Sequence, residues 1–287
     1  MRPSFLLLAP CCVFLGIGTA VWTVGKVNIW HIALILAGAI SAHISVNALN
    51  EYFDFKSGLD FRTQRTAFSG GSGTLPAHAP AARLALATGL TALMITSWIG
   101  IYFLFVAGWL LLPLGLFGLL LILLYTGWLT RNPWLSLIAP GLGFGPFMVM
   151  GTDFVLTGAY SWTALIASLS PFFLVSDLLL LNQFPDIEAD RSVGRKHFPI
   201  FAGAKISSLI YGAFLLLAYL SIILGVAWKL LPAASLLGLI TIGVAIPAFL
   251  GAYRYGNDAR KLAPFMAMNV LINLTTPVLV AAGLLMG

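Results

Sequence analysis

The chain holds only nine acidic residues in 287, and six of them fall in two short stretches. One is NALNEYFDFKSGLD, from Asn47 to Asp60. The other is NQFPDIEAD, from Asn182 to Asp190. Asn50 and Asp54 are four residues apart, and Asn182, Asp186 and Asp190 follow one another at the same interval. If helices run through them, each set lines one helix face; Pro185 sits where it would kink or restart the second helix. Facing carboxylates repel one another and are costly near a membrane, and a divalent cation removes that cost. An oxygen-only donor set suits Mg²⁺, which commonly shares its coordination between one or two carboxylates and substrate phosphates. Two such clusters on two helices would hold a diphosphate between them. The basic residues close by in sequence are Lys56, Arg62, Arg65, Arg191, Arg195 and Lys196, which would neutralise its remaining oxygens. One chemistry that fits is ionisation of an allylic diphosphate, with the carbocation shielded from water in an apolar cavity.

The elements that position these residues follow from composition. The chain is 60% hydrophobic and 8% charged, where a soluble domain carries about 25% charged residues. Its mean hydropathy is +0.99. A soluble single-domain enzyme and a disordered chain are both excluded, and an all-α polytopic membrane protein is expected. Nine apolar stretches are long enough to span a bilayer, at about 4–22, 29–49, 84–106, 108–126, 134–157, 162–182, 204–226, 231–251 and 264–285. The third and fourth nearly fuse at Gly108–Leu112, and a short turn at Trp228–Lys229 divides the seventh from the eighth. FLLLAPCCVFLGIGTAVW reads as the first span rather than a cleaved leader, with Cys11 and Cys12 as packing or lipid-facing residues. The chain is expected to form one domain over residues 1–287. Spans one to four and five to eight form a candidate parallel repeat, because the two Asn-x-x-x-Asp sets are offset by 132 residues.

With the N-terminus in the cytoplasm, Lys26 and Lys229 are the only Lys or Arg residues placed outside, which satisfies the positive-inside rule. Both acidic stretches then lie at cytoplasmic span ends. The net charge of +6 favours anionic headgroups or an anionic substrate. It is no nucleic-acid signal, since no basic module is long enough to fold in water. The expected location is a prokaryotic plasma membrane with the site on the cytoplasmic side.

These stretches resemble the aspartate-rich motifs of the UbiA-type membrane prenyltransferases, N-D-x-x-D with a further Asp after the second span and D-x-x-x-D after the sixth. Asn50, Glu51, Asp54 and Asp60 resemble the first, with Glu51 in place of the usual Asp; Asp186 and Asp190 match the second. The resemblance implies catalytic roles for Asn50, Asp54, Asp186 and Asp190. It implies Mg²⁺ ligation by Asp54, Asp60, Asp186 and Asp190, with Asn182 in support. A polyprenyl diphosphate would be the donor and an aromatic ring the acceptor. NEYFDFKSGLD is similar to the menaquinone branch, which prenylates 1,4-dihydroxy-2-naphthoate. The departures at Glu51 and at Gly194-Arg195-Lys196-His197 leave another quinone precursor, a porphyrinoid or a lipid alcohol as alternative acceptors. The alternative of another class is a cation-coupled transporter, against which the acids' place at one membrane face already counts.

Arg62, Arg65, Arg131, Arg195 and Lys196 are candidate diphosphate ligands, each with an alternative reading as an ordinary cytoplasmic cation. Tyr125, at the end of the fourth span, is a further candidate. Glu51 and Glu188 read as structural acids. Asp177 and His43 lie within spans and are weighed between acceptor contact and helix–helix hydrogen bonding; Asn47 is weighed between site and packing. Gly70–Gly73 reads as a cytoplasmic loop able to close over the site.

Overall fold

The computed structural model describes residues 3–63, 65–66 and 68–287, and no strand occurs among them. Eight helices are long and apolar enough to cross a bilayer. They are α1 (Phe5–Val24), α2 (Ile29–Ser57), α3 (Ala79–Ala107), α5 (Pro133–Thr157), α6 (Trp162–Asn182), α7 (Phe198–Ala227), α8 (Ala233–Tyr255) and α9 (Ala259–Met286). The expected fourth span is present as a shorter apolar helix, α4 (Trp109–Leu124). Exposed Trp98, Phe105, Leu110, Phe117 and Phe201 give the outer surface the apolar character that lipid requires.

Polar residues set the helix ends. Asn28, Asn132, Ser161 and Asp258 accept backbone N–H bonds at the starts of α2, α5, α6 and α9. Gly108, at φ +114, separates α3 from α4 where the apolar run alone shows little break. Within α5, residues Gly143–Met150 widen into a π-helix that contains Pro146, which cannot supply a backbone N–H to the regular ladder.

α2 packs along α3, and α6 packs against α5, α7 and α9; α1 lies against α9 and α5. The α5–α6 crossing depends on small residues: a Cβ at Gly141 would stand 2.2 Å from the Phe172 carbonyl oxygen, and one at Gly145 2.6 Å from that of Ser168. By contrast, Leu112–Leu124 of α4 contains no buried residue. It forms a thin wall beside α2, α3 and α5.

One local expectation is corrected. Asn182, Asp186 and Asp190 do not share a continuous helix: α6 ends at Asn182, and Asp186 precedes a separate short helix, Ile187–Ser192. Pro185 lies in the turn between them, and the missing N–H and fixed φ of proline account for the break.

Candidate active site

Asn50, Glu51 and Asp54 occupy the last turns of α2, and Gly58, in the left-handed region at φ +78, ends the helix just before Asp60. The Asn50 amide donates to Asp54 Oδ2 at 3.0 Å, while its oxygen accepts from the Thr126 hydroxyl at 2.9 Å. The amide is thus held from both sides and fixes one face of the Asp54 carboxylate.

The second stretch meets the first through Arg195. Its Nη1 donates to Asp190 Oδ1 at 2.9 Å, and its Nη2 pairs with Asp54 Oδ1. His197 Nδ1 stands 3.1 Å from the other Asp190 oxygen. Asp54, Asp60 and Asp190 are all buried. Burial opposes ionisation of Asp190, but the His197 hydrogen bond and the Arg195 charge outweigh it and hold the carboxyl below its ordinary range. For Arg195, burial disfavours the charge and the two carboxylates more than restore it, raising its pKa. Asp60 goes the other way: burial, then the nearby Glu51 charge, push it up to about 6 against the pull of Arg65 and Arg195.

These groups line one end of a cavity of about 700 Å³. Glu51, Asp54, Asp60, Asp186 and Asp190 contribute carboxyls there, joined by Asn50, Asn182, Tyr125 and Arg195. The rest of the wall is largely apolar and comes mainly from α2, α3, α4 and α5, with Leu8 of α1, Leu178 of α6 and Val270 of α9. Five carboxylates against one guanidinium repel a diphosphate unless further cations enter, so the donor set fits Mg²⁺. Among the described residues, no three acidic, histidine or cysteine side chains stand close enough together to hold a metal ion by themselves.

Four of the expected diphosphate ligands stand apart from the cavity lining. Arg62, Arg65, Arg131 and Lys196 are exposed. Arg62 reaches the Ser192 carbonyl oxygen at 3.4 Å, linking the two acidic segments outside the cavity, and Arg65 lies against Gly73. Lys196 is tied through its backbone N–H to the Thr130 carbonyl oxygen at 2.9 Å. Glu188 faces outward in a pair with Arg191 at 3.0 Å. Asp177 is fully buried and does not line the cavity; its backbone carbonyl accepts from Asn269 of α9 at 3.3 Å. Asp153 accepts from the hydroxyl of Ser161, the residue that caps the start of α6, at 2.9 Å.

Several participants carry no motif in the chain. Thr126 and Thr130 act from the α4–α5 connection, and His197 reads in sequence as part of a basic run. Gly70, Gly71 and Ser72 line the cavity, and the Ser72 N–H donates to Glu51 Oε1 at 2.8 Å. The glycine-rich loop therefore lies over the acidic end, anchored by the residue that replaces the first aspartate of the resembled motif.

Comparison with known proteins agrees with this fold. The UbiA prenyltransferase family model matches residues 8–273. A 1,4-dihydroxy-2-naphthoate octaprenyltransferase of Bacillus subtilis is 30% identical over 77% of this chain and 70% of its own. A UbiA homolog from Aeropyrum pernix K1 superposes with TM-score 0.75 at 21% identity, covering 100% of this chain and 98% of the other. A UbiA homolog from Archaeoglobus fulgidus, solved with DMAPP and Mg²⁺, superposes with TM-score 0.63 at 14% identity, covering 98% and 99%.

Proposed function

Since this chain belongs to the UbiA prenyltransferase family, we propose that it transfers a polyprenyl group from its diphosphate to a ring carbon of an aromatic acceptor, 1,4-dihydroxy-2-naphthoate. The observation that carries this reading is one cavity with paired carboxylate motifs at one end and apolar walls beyond them. A diphosphate sits at the acidic end and its isoprenoid tail runs between α2, α3, α4 and α5. The naphthoate assignment draws on the Bacillus relative and on the NEYFDFKSGLD stretch. Membership of a prenyltransferase family, with carboxyls gathered in one largely apolar cavity, leaves the transporter alternative without support.

Asp54, Asp60, Asp186 and Asp190 would hold Mg²⁺, with Asn50 and Asn182 beside them. When bound, the ion would neutralise diphosphate oxygens and make the diphosphate a better leaving group. Asn50 orients Asp54, and Arg195 offers a guanidinium to the departing anion. Tyr125 lines the same end, where its hydroxyl is placed to donate to a phosphate oxygen. The C1–O bond of the donor breaks with its electron pair going to the diphosphate. The electron-rich ring forms the new C–C bond, and the ring then loses a proton, or its carboxyl group as CO₂. The apolar walls keep water from the allylic cation. No protein nucleophile is required. The distribution of basic residues supports a site on the cytoplasmic face of a prokaryotic plasma membrane, with residues 1–287 acting as one domain.

The test is prenyl transfer by purified protein in lipid, with geranylgeranyl diphosphate, Mg²⁺ and either 1,4-dihydroxy-2-naphthoate or 4-hydroxybenzoate. A prenylated naphthalene product that is lost with EDTA and in Asp54→Asn and Asp186→Asn is expected. Transfer to 4-hydroxybenzoate alone would refute the acceptor. Failure of folded protein to bind or cleave the diphosphate would refute the reaction.

A further inference from the structure

We propose that Asp177 of α6, Tyr211 of α7 and Asn273 of α9 form a buried binding site for an alkali cation, at a level of the bundle where these three spans meet. The site is distinct from the acidic end of the cavity. It goes beyond the prenyl-transfer reading and does not depend on it.

Asp177 and Tyr211 are fully buried, and Asn273 is 1% exposed. Neither Asp177 oxygen has a hydrogen-bond partner among the described residues, and the same holds for the Tyr211 hydroxyl and Asn273 Oδ1. Neighbouring contacts bring the three spans together. The Asn269 amide donates to the Asp177 backbone carbonyl oxygen at 3.3 Å. One turn along α9, the Asn273 amide donates to the backbone and side-chain oxygens of Asn269 at 2.9 and 3.3 Å. Tyr211 reaches in from α7, close enough to feel the Asp177 charge. Elsewhere these spans satisfy their polar groups among themselves: the Thr241 hydroxyl of α8 pairs with Tyr219 at 3.0 Å and with Thr276 at 2.8 Å. A carboxyl inside a span with no partner is costly, and acids at such depth are generally paired or serve an ion.

The chemistry of the unmet atoms favours a cation. They are four oxygens, and the Tyr211 hydroxyl carries the one hydrogen that an ionised set can donate. A proton on Asp177 would add one donor, yet no two of these oxygens are hydrogen-bonded to each other. A cation meets several oxygens at once and needs no donor. One carboxylate with neutral hydroxyl and amide oxygens balances a single positive charge, whereas a divalent ion would carry a second charge into an apolar interior. An oxygen-only set of this kind suits a hard alkali ion, Na⁺ or K⁺. Asn273 also lines the main cavity beside Val270 and Leu274, which is the side from which an ion would enter. Once bound, the ion would tie α6 to α7 and α9, a few residues before α6 ends and the chain turns to Asp186 and Asp190.

The test uses full-length protein in lipid with EDTA, so that no divalent ion contributes. Thermal unfolding is followed in the chloride salts of Na⁺, K⁺ and N-methylglucamine at equal ionic strength. At least one alkali salt is expected to raise Tm by about 3 °C or more over N-methylglucamine, and the gain should grow with the logarithm of its concentration. The stronger of the Na⁺ and K⁺ responses names the ion. Asp177→Asn should lose the response, and Asn273→Ala should weaken the apparent affinity by about 10-fold. Asp54→Asn, which changes the acidic end instead, should keep it. Saturable binding of radioactive sodium or rubidium to wild type, absent in Asp177→Asn, reads the same site without unfolding. Equal Tm in all three salts would overturn the site and leave Asp177 a protonated or water-bonded acid. A response unchanged in Asp177→Asn, or abolished in Asp54→Asn, would also overturn it, because the ion would then bind elsewhere. If Asp177→Asn does not fold, the wild-type salt comparison and Asn273→Ala decide in the same way: an affinity unchanged in Asn273→Ala refutes the proposal.

Discussion

Arg195 and Asp54, 141 residues apart in the chain, form a buried ion pair, and the same guanidinium reaches Asp190 at 2.9 Å. One side chain therefore joins the two acidic stretches and offsets the repulsion that both sequence spacing and burial impose. Removing one partner of such a pair leaves buried charge unbalanced, at a cost of about 3–5 kcal/mol when fully buried. The partial solvent access of Arg195 brings the expected loss in Arg195→Ala toward the lower end. Prenyl transfer should fall by about 100-fold or more, as for loss of a charge stabiliser at a leaving group. Mg²⁺ should raise the Tm of the variant by more than it raises that of wild type, because the freed carboxylates attract the cation more strongly. Thermal unfolding with and without Mg²⁺ measures this. An equal response in the two proteins would show that Arg195 and the cation do not share the carboxylates.

The pH dependence follows from Asp60, whose pKa is pushed up to about 6 by burial and by Glu51. A carboxyl raised in the folded state favours folding when protonated. Its contribution is fully present below its unfolded value near 4 and is lost as pH rises through about 6. Cation binding has the opposite sign, since protons compete for the same oxygens. Without Mg²⁺, stability should therefore gain from this group as pH falls from 7 to 5, while apparent Mg²⁺ affinity weakens over the same window. Asp190, held below its ordinary range, stays ionised there. Asp60→Asn should flatten both trends; titration of Mg²⁺-induced Tm shifts between pH 5 and 8 would reveal a persistent slope if another group were responsible.

Glu51 holds the Gly70–Gly73 loop through the Ser72 N–H at 2.8 Å. Glu51→Ala should free that loop and increase proteolytic cutting within it, with donor KM raised about 3- to 10-fold. Glu51→Gln keeps an acceptor oxygen and should retain most of the protection. Limited proteolysis with and without geranylgeranyl diphosphate checks the order. Equal cutting of wild type and Glu51→Ala would mean that the loop is held by other contacts.

The helical architecture and the acidic end were accessible from sequence for a physical reason. Scarce charge in an apolar chain makes each carboxylate conspicuous, and full-length apolar runs leave little choice of fold. The Asn50–Asp54 face followed from spacing because α2 continues through it without a break. The same spacing failed at Asn182, Asp186 and Asp190, where Pro185 ends the helix and the turn, rather than helical phase, brings the acids to the cavity. Arg195 could not be distinguished from Arg62, Arg65 or Lys196 among the basic residues that flank the acidic stretches. What separates it is a tertiary contact with α2. Thr126 and His197 were hidden for the same reason, since their partners come from elsewhere in the chain.

The thin wall at α4 determines how long a donor the cavity admits. Gly115 lines the cavity, and a Cβ there would meet no atom within 4 Å, so a side chain can be added without disturbing the packing of the helix. A tryptophan would instead occupy part of the apolar space beyond the acidic end. Gly115→Trp should fold with a Tm close to that of wild type, because α4 buries nothing from Leu112 onward. Geranyl diphosphate, with a short tail, should still react. Donors with four or more isoprene units should lose about 10-fold or more in kcat/KM, as expected when several methylenes are displaced from an apolar channel at about 0.8 kcal/mol each. Competition among geranyl, geranylgeranyl and octaprenyl diphosphates in one reaction gives the length profile directly. A profile identical to wild type would place the tail along another wall and leave α4 a lipid-facing helix only.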